Sequence, residues 1–415
     1  MAQTYKFGKG TWANKKGSTL AYSDTNNAFK PLPFNFERDS IATRVNKEGL
    51  IEVVGRDIPR IDYTDSTEGV LLLEPSRTNS LLQSNQFDTT WALASSTVES
   101  GQVGVGGSTD AWKITKIGAG GHIRQTGISV VNGNVSIYAK KGNSNWIRLG
   151  TQSGNIETYF DLENGIIGNK GNLIDDANIS NIGNGWYRCS FSYTGTVTGV
   201  YIYPADSNGS VANSSGDIYV QYSQAEVGSY PTSYIPTNGS TVQREADVAN
   251  GSGNSEVFNS QEGILFANIS ALSDDQTQRA LGISDGTSSN RISIVYNDGS
   301  SNALRMFVTN PSGTKSYVNN SYIITQYNKI SLKWNGTSLS FWVNGFEIHT
   351  DTLTSAFTSD VLDTLDFAFF GTNTPFYGNT KEIAVYDTLT DAELETLTSY
   401  RSLSEMVTEL NLNTL

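Results

Sequence analysis

Lys329-Ile-Ser-Leu-Lys-Trp-Asn-Gly-Thr-Ser-Leu-Ser-Phe-Trp-Val-Asn-Gly345 has the clearest local pattern in the chain. Ile330, Leu332 and Trp334 alternate with polar residues up to Asn335-Gly336, and Leu339, Phe341 and Val343 alternate after it. A period of two on both sides of an Asn-Gly pair predicts a β-hairpin with one buried face, because successive side chains of a strand point to opposite sides. Asn344-Gly345 turns the chain again. Trp342 falls on the face opposite Phe341, where a large apolar ring is a candidate for stacking on a ligand.

Residues 263–387 keep this strand-and-turn pattern, and so does the long region from Phe87 to Val248. Ile156, Thr158, Phe160 and Leu162 share one face of a strand that ends at the turn pair Asn164-Gly165. In Trp186-Tyr-Arg-Cys-Ser-Phe-Ser-Tyr193, alternation puts Cys189 among Tyr187, Phe191 and Tyr193. Cys189 is therefore expected to be a small core residue. Repeated short strands and turn signals with no helical period predict a β-sandwich.

Residues 1–33 are rich in Gly, Lys, Asn and Ser, with scattered aromatics at Tyr5, Phe7, Trp12, Tyr22 and Phe29, and read as an extended arm. A hairpin is expected from Ala42–Val45, a turn at Asn46–Gly49, and Leu50–Val54. Leu71 to Leu73 form an apolar run stopped by Pro75, after which Leu81, Leu82, Phe87 and Trp91 open a new region. Gly69 to Trp91 therefore reads as a junction, with Glu74, Arg77 and Asn79 fixing the first sandwich to what precedes it. Residues 249–261 have the composition of a linker. At the end, Asp391 as N-cap, acidic Glu393 and Glu395, and apolar Leu394, Leu397, Leu403, Met406, Val407 and Leu410 predict one helix and an exposed tail. The expected organisation is an N-terminal anchoring segment over 1–84, a β-sandwich over 85–248, a linker over 249–261, a second sandwich over 262–390, and a helix and tail over 391–415.

Composition narrows the functions. The chain has 415 residues, 37% hydrophobic and 11% aromatic, with 40 glycines and 17% charged residues, which suits thin sandwich cores and excludes both disorder and a helical bundle. Net charge is −13, with ten basic and six acidic side chains in residues 1–60 and 18 and 35 in the remainder. An acidic body repels nucleic acid and anionic membranes, while the basic start suits an acidic protein surface. One cysteine excludes an intrachain disulfide and a cysteine zinc site. No run reaches the ~20 apolar residues of a membrane span, so synthesis in the cytoplasm without membrane insertion is expected.

Catalytic patterns are thin. Gly282-Ile-Ser-Asp-Gly286 has the nucleophile-elbow spacing, but a strand, Ile292-Ser-Ile-Val-Tyr296, follows where that motif needs a helix. Only His122 and His349 are available as bases. Glu157, Asp161 and Glu163 share a strand face and are the only candidates for a polysaccharide depolymerase, which needs two carboxyls about 5–10 Å apart. Asp285, Asn297 and Asp298 sit in predicted loops and are the candidate oxygen ligands if Ca2+ is bound. Trp146, Trp186, Trp342 and Tyr377 are the chosen carbohydrate-binding candidates, with Tyr201, Tyr203 and Phe376 behind them. The chain is expected not to be an enzyme.

Three strings carry a resemblance. Phe36-Glu-Arg-Asp-Ser-Ile-Ala-Thr-Arg44 with its continuation to Val54, Pro59-Arg-Ile-Asp-Tyr63 and Leu72-Leu-Glu-Pro-Ser-Arg-Thr-Asn79 resemble a segment of tailed-bacteriophage structural proteins. Gly185-Trp-Tyr-Arg188, Tyr222-Ser-Gln-Ala-Glu226 and Ser229-Tyr-Pro-Thr-Ser-Tyr-Ile-Pro-Thr237 are similar to a carbohydrate-binding-module-like jelly roll. The Asn335-Gly336 hairpin with Phe369-Phe-Gly371, Tyr377-Gly378 and Lys381-Glu-Ile-Ala-Val-Tyr-Asp-Thr-Leu-Thr-Asp-Ala-Glu393 resembles a laminin-G or concanavalin-like jelly roll. The resemblance implies an all-β protein: two antiparallel β-sandwich (jelly-roll) domains in tandem after an extended N-terminal anchoring segment, with a short C-terminal helix. It implies a virion component such as a head fibre, tail fibre or decoration protein. Such a protein would be a homo-oligomer joined to other virion proteins through its N-terminal segment, with modules for subunits or host surface glycans. A soluble glycan-binding, lectin-like protein is the alternative.

Overall fold

The computed structural model describes residues 34–410 except 65, 152 and 153, residue 412, and the backbone of five short strands within residues 3–29. The chain is all-β and forms two compact units: unit 1 comprises residues 1–39, 54–75 and 246–415, and unit 2 comprises residues 40–53 and 76–245. Each unit is an antiparallel β-sandwich.

In unit 2, one six-stranded sheet runs in the order Ala92–Ala94, His122–Val131, Thr196–Ala205, Trp146–Gly150, Glu157–Asp161, Ile166–Lys170. The other runs Ser96–Gln102, Ala111–Lys116, Asp217–Val227, Gly133–Lys141, Trp186–Tyr193, Ile174–Gly183. Alternation does the packing: Ile123, Ile147, Leu149, Phe160 and Ile202 of the first sheet share a core with Ile114, Ile137, Phe191 and Val220 of the second. Cys189 is fully buried in that core, as its strand parity predicts, and burial pushes its thiol above the usual range. Phe87 and Trp91 anchor the start of the unit, with ring centroids 5.1 Å apart.

Unit 1 packs a ten-stranded sheet against a five-stranded one. The 329–345 hairpin forms as read: Asn328–Asn335 pairs with Ser338–Val343 in the register Ile330↔Val343, Leu332↔Phe341, Trp334↔Leu339. Asn344 and Gly345 both have positive φ, as a two-residue turn into Phe346–Thr352 requires. Strand Val70–Leu73 is buried throughout and pairs with Gly378–Tyr386. One of the boundaries between the units falls at Pro75, inside the stretch read as a junction.

Several expectations change. Residues 1–84 do not form one segment: 40–53 and 76–84 belong to unit 2, and 54–75 to unit 1. Strand Gln3–Lys6 pairs with Gly378–Tyr386 instead of standing free. The aromatic side chains before Phe34 lie outside the described residues. The 249–261 stretch is not a free linker. Strand Val248–Asn250 pairs with Phe34–Glu37, Gly251 donates to Asp366, and Phe258 is buried in the core. Two glycines and polar neighbours hid one anchoring aromatic.

The terminal helix is two helices, Asp391–Thr398 and Leu403–Glu409, separated by extended Ser399 and Ser402. Thr390, not Asp391, is the first N-cap, closing a capping box with Glu393. Leu394 packs on Ile264 and Trp342, so this helix covers its own sheet.

Candidate functional site

On the unit 2 sheet that carries His122–Val131, the core takes Ile123, Ile202, Leu149 and Phe160, so their neighbours of opposite parity face away from it. The register aligns these neighbours across four strands. His122 is the diagonal neighbour of Tyr201 across the Ile123↔Ile202 pair, and Arg148 pairs with Tyr203 on one side and Tyr159 on the other. One row is therefore His122, Tyr203, Arg148, Tyr159. The next is Arg124, Tyr201, Gly150, Glu157, from the pairs Arg124↔Tyr201, Gly150↔Tyr201 and Gly150↔Glu157.

Contacts bind the rows into one surface. The Arg148 guanidinium lies 4.4 Å from the centre of the Tyr203 ring, and the His122 ring is 4.4 Å from it as well. Tyr201 and Tyr203 are stacked at 6.4 Å, and Arg124 sits 5.7 Å over Tyr201. Arg148 is held by Glu157 and donates to Thr151 O at 3.1 Å. Among the described residues Arg124 has no carboxylate partner. The three tyrosines are only 6–7% exposed, with Arg124, Arg148 and His122 lying against the rings of Tyr201 and Tyr203.

Protonation follows from this packing. Burial raises the Tyr203 and Tyr159 phenols, with Arg148 opposing, so both remain O–H donors at neutral pH. Burial depresses the His122 imidazole, helped by Arg124 and Arg148 and opposed by its hydrogen bond to Gly120 O. Nδ1 lies 2.9 Å from Gly120 O and acts as its donor in the neutral ring, which leaves Nε2, buried and without a partner, as an acceptor. An NMR titration of His122 is therefore expected to give a midpoint below the ordinary 6.5. Because the folded value is depressed, the associated stability is present above pH ~6.5 and lost as pH falls through the folded value. A midpoint at or above the ordinary value would contradict this environment.

Of the sequence candidates, Trp146 stands at the margin of this face, half-buried across the bare backbone of Gly168, where a Cβ would lie 2.6 Å from its ring. Trp186 is 1% exposed and packs with Val105, Ala111 and Tyr138, so it presents no binding surface. Trp342 does point away from Phe341, but the helix Asp391–Thr398 buries it through Leu394. Phe376 is core, and Tyr377 is half-buried against the core of unit 1.

The calcium candidates do not converge. Asp285 follows strand Arg279–Ser284 and accepts from Thr287 and Asn290, whereas Asn297 and Asp298 follow the far end of the next strand, Arg291–Tyr296, on the order of 20 Å away. Asp298 pairs with Arg305, and Asn297 reaches Asp274 and Ser300 once its amide is turned to face them. Among the described residues no group of three or more His, Cys, Asp or Glu is placed to hold a metal.

Ser284 is fully buried, accepts from Gly286 N at 3.1 Å and lies in a strand-to-strand hairpin. Glu157 engages Arg148, Glu163 engages Lys141, and Asp161 accepts from Glu163 N and Asn164. No described helix is long and apolar enough to cross a membrane.

The strings that carry the resemblance mostly build framework. Arg38, Arg60 and Glu74 meet Asp247 inside unit 1. In unit 2, buried Glu226 accepts from Gln224 and from Thr232 N and Oγ1, while Asn79 donates to Ile235 O and accepts from Ala225 N. Glu74 and Asn79 are thus architectural. Arg77 lies over Tyr230 and is read the same way. The basic surplus expected for docking is partly internal, since the Arg38 and Arg60 side chains have no exposure.

No family model matches the chain, and no curated protein matches it. Among solved structures, the CBM40 module of the Ruminococcus gnavus IT-sialidase bound to α2,3-sialyllactose is similar, at 17% identity and TM-score 0.31, over 36% of this chain and 94% of that one. Domain 4 of an extracellular arabinanase from Geobacillus stearothermophilus, in complex with arabinotriose, is similar at 14% identity and TM-score 0.30, over 42% and 84%. The leech intramolecular trans-sialidase is similar at 18% identity and TM-score 0.30, over 37% of this chain and 26% of that one. Likeness at this level assigns neither ligand nor activity to the chain.

Proposed function

We propose that the protein is a non-enzymatic, glycan-binding structural component of a tailed-phage particle, a fibre, appendage or decoration protein that assembles as a homo-oligomer. The observation that carries the glycan part is the row His122, Tyr203, Arg148, Tyr159, which joins aromatic rings to donors and acceptors on one sheet. Sugars present hydroxyls that take such paired polar groups, and C–H faces that rest on aromatic surface. The particle part is supported by the Phe36 to Asn79 strings and their resemblance to phage structural proteins, with the N-terminal region meeting other virion proteins. Engagement of Glu157, Asp161 and Glu163 by their neighbours supports binding over hydrolysis.

The full chain is expected to bind a defined subset of an immobilised glycan panel, to scatter light as an oligomer, and to be present in purified particles. Glycan binding by a monomer absent from particles would instead indicate a soluble lectin-like protein. No glycan bound at all would remove the binding role.

A further inference from the structure

The five-stranded sheet of unit 1 runs in the order Gly313–Asn319, Leu304–Asn310, Arg291–Tyr296, Arg279–Ser284, Thr364–Asp366. Its core face takes Ile292, Ile294, Met306 and Val308, so Arg291, Phe307 and Thr309 stand on the opposite face. There the Arg291 guanidinium lies among three half-buried rings. Its central carbon is 4.1 Å from the centre of Phe369, 4.7 Å from Phe307 and 5.2 Å from Phe370. Phe369 and Phe370 belong to the loop after Thr364–Asp366, and Phe369 meets Phe307 edge-on at 4.9 Å.

The charge held there is unanswered. Among the described residues the Arg291 guanidinium has neither a carboxylate partner nor a hydrogen bond. A second cation, Arg305, lies over the same Phe307 ring at 4.6 Å, and of the two only Arg305 is paired, with Asp298. Burial and the Arg305 charge both depress the Arg291 guanidinium, yet an arginine stays protonated at neutral pH. The site therefore carries one uncompensated positive charge in a chain of net charge −13. Its donors are also on offer: Nε alone is closed off from solvent, which leaves Nη1 and Nη2 as the open edge of a fork whose plane the rings hold. Hydroxyls stand beside that edge. The register pairs Arg291 with Thr309 and Thr309 with Thr314, and the two threonine hydroxyls are 3.1 Å apart.

A planar fork with a single free charge matches one carboxylate, whereas a phosphate, nearer two charges, needs a second free cation. The half-buried phenylalanine rings suit the C–H surface of a sugar, and the threonine pair suits its hydroxyls. From this arrangement we infer that Arg291 anchors the carboxylate of one hexuronic acid residue, with Thr309 and Thr314 taking ring hydroxyls. The site lies within unit 1 and stands whether or not the tyrosine row of unit 2 binds glycan.

The test uses the full chain labelled with 15N-arginine and follows the Arg291 Nε–Hε signal. D-glucuronate, D-galacturonate, D-mannuronate, D-glucose, acetate and inorganic phosphate are titrated separately to about 50 mM at constant ionic strength, a range that covers millimolar affinity. At least one uronate is expected to move the signal saturably, with glucose, acetate and phosphate at least ~10-fold weaker. Arg291→Lys keeps the charge and loses the fork. Followed at the Arg305 signal on the same ring, it is expected to weaken that uronate at least ~10-fold. Thr309→Val, read at Arg291 itself, is the milder probe should Arg291→Lys fail to fold, with a weakening of about 3-fold or more. An Arg291 signal unmoved by all three uronates overturns the inference, and so does glucose, acetate or phosphate that matches the best uronate. A titration that both folded variants leave unchanged overturns it as well. None of these results bears on glycan-panel binding by the tyrosine row.

Discussion

Replacing Asp247 by alanine is expected to cost unit 1 about 3–5 kcal/mol, the largest loss from any single side chain in that unit. Asp247 accepts from Arg38 at 2.9 Å, from Arg60, and from the backbone N–H of Glu74 at 2.8 Å. None of the three ionic side chains is more than marginally exposed, and the Arg60 guanidinium stays charged because Asp247 and Glu74 outweigh its burial. Removing this carboxylate takes a shared acid from two buried cations, of which Arg60 keeps Glu74, and water cannot reach either to solvate it. In urea, a slope of roughly 2 kcal/mol/M would move the midpoint of the unit 1 transition down by about 2 M. Trp334, buried in the core of that unit, supplies the fluorescence signal. A shift under about 0.5 M would show that the network is a passenger, as some buried ion pairs are.

Tyr203→Ala is expected to weaken binding of any glycan that the full chain captures by ~100-fold, about 2.7 kcal/mol. The ring is the common support of the site, because His122 and Arg148 both rest against it at 4.4 Å. Without it the guanidinium loses its platform and is held only from its other side, by Glu157 and the Thr151 carbonyl. Hot-spot residues of this kind sit at the centre of a packed polar cluster and carry a disproportionate share of affinity. Tyr203→Phe keeps the ring and is expected to lose no more than ~10-fold. Equal losses from both variants would assign the binding to the hydroxyl, and no loss from either would place it elsewhere on the molecule.

The fold was legible where the signal is local. The 329–345 hairpin, the burial of Cys189 and the change of region after Pro75 rest on alternation and turn residues within a few positions of one another. What escaped depends on a second layer or a distant partner. Trp186 and Trp342 occupy the strand faces that alternation assigns them, yet side chains from other elements cover both. Tyr201 and Tyr203 were visible as aromatics, but nothing near them in sequence announces Arg148 or His122. Asp247 lies 209 residues from Arg38 and 187 from Arg60, so an arginine that looks solvated in sequence is in fact internal. In residues 249–261, Phe258 was the one hint of packing, outweighed by Gly, Ser and Asn.

The interleaving of the two units in sequence also sets a timetable. Leu73 finds its strand partner at Gly378, and Arg60 its carboxylate at Asp247, only after unit 2 has been made. At ribosomal speeds of about 5–20 residues per second, the Val70–Leu73 strand, which has Arg60–Asp62 as a partner on one edge, waits on the order of 15–60 s with its other edge open. Unit 2, whose own segments all precede residue 246, is free to fold within that interval. Synthesis thus delivers a finished sandwich first and an aggregation-prone strand held open for the last strands to arrive. Expression from two separate fragments cut near residue 250 would leave one edge of that strand without its Gly378–Tyr386 partner in the same chain.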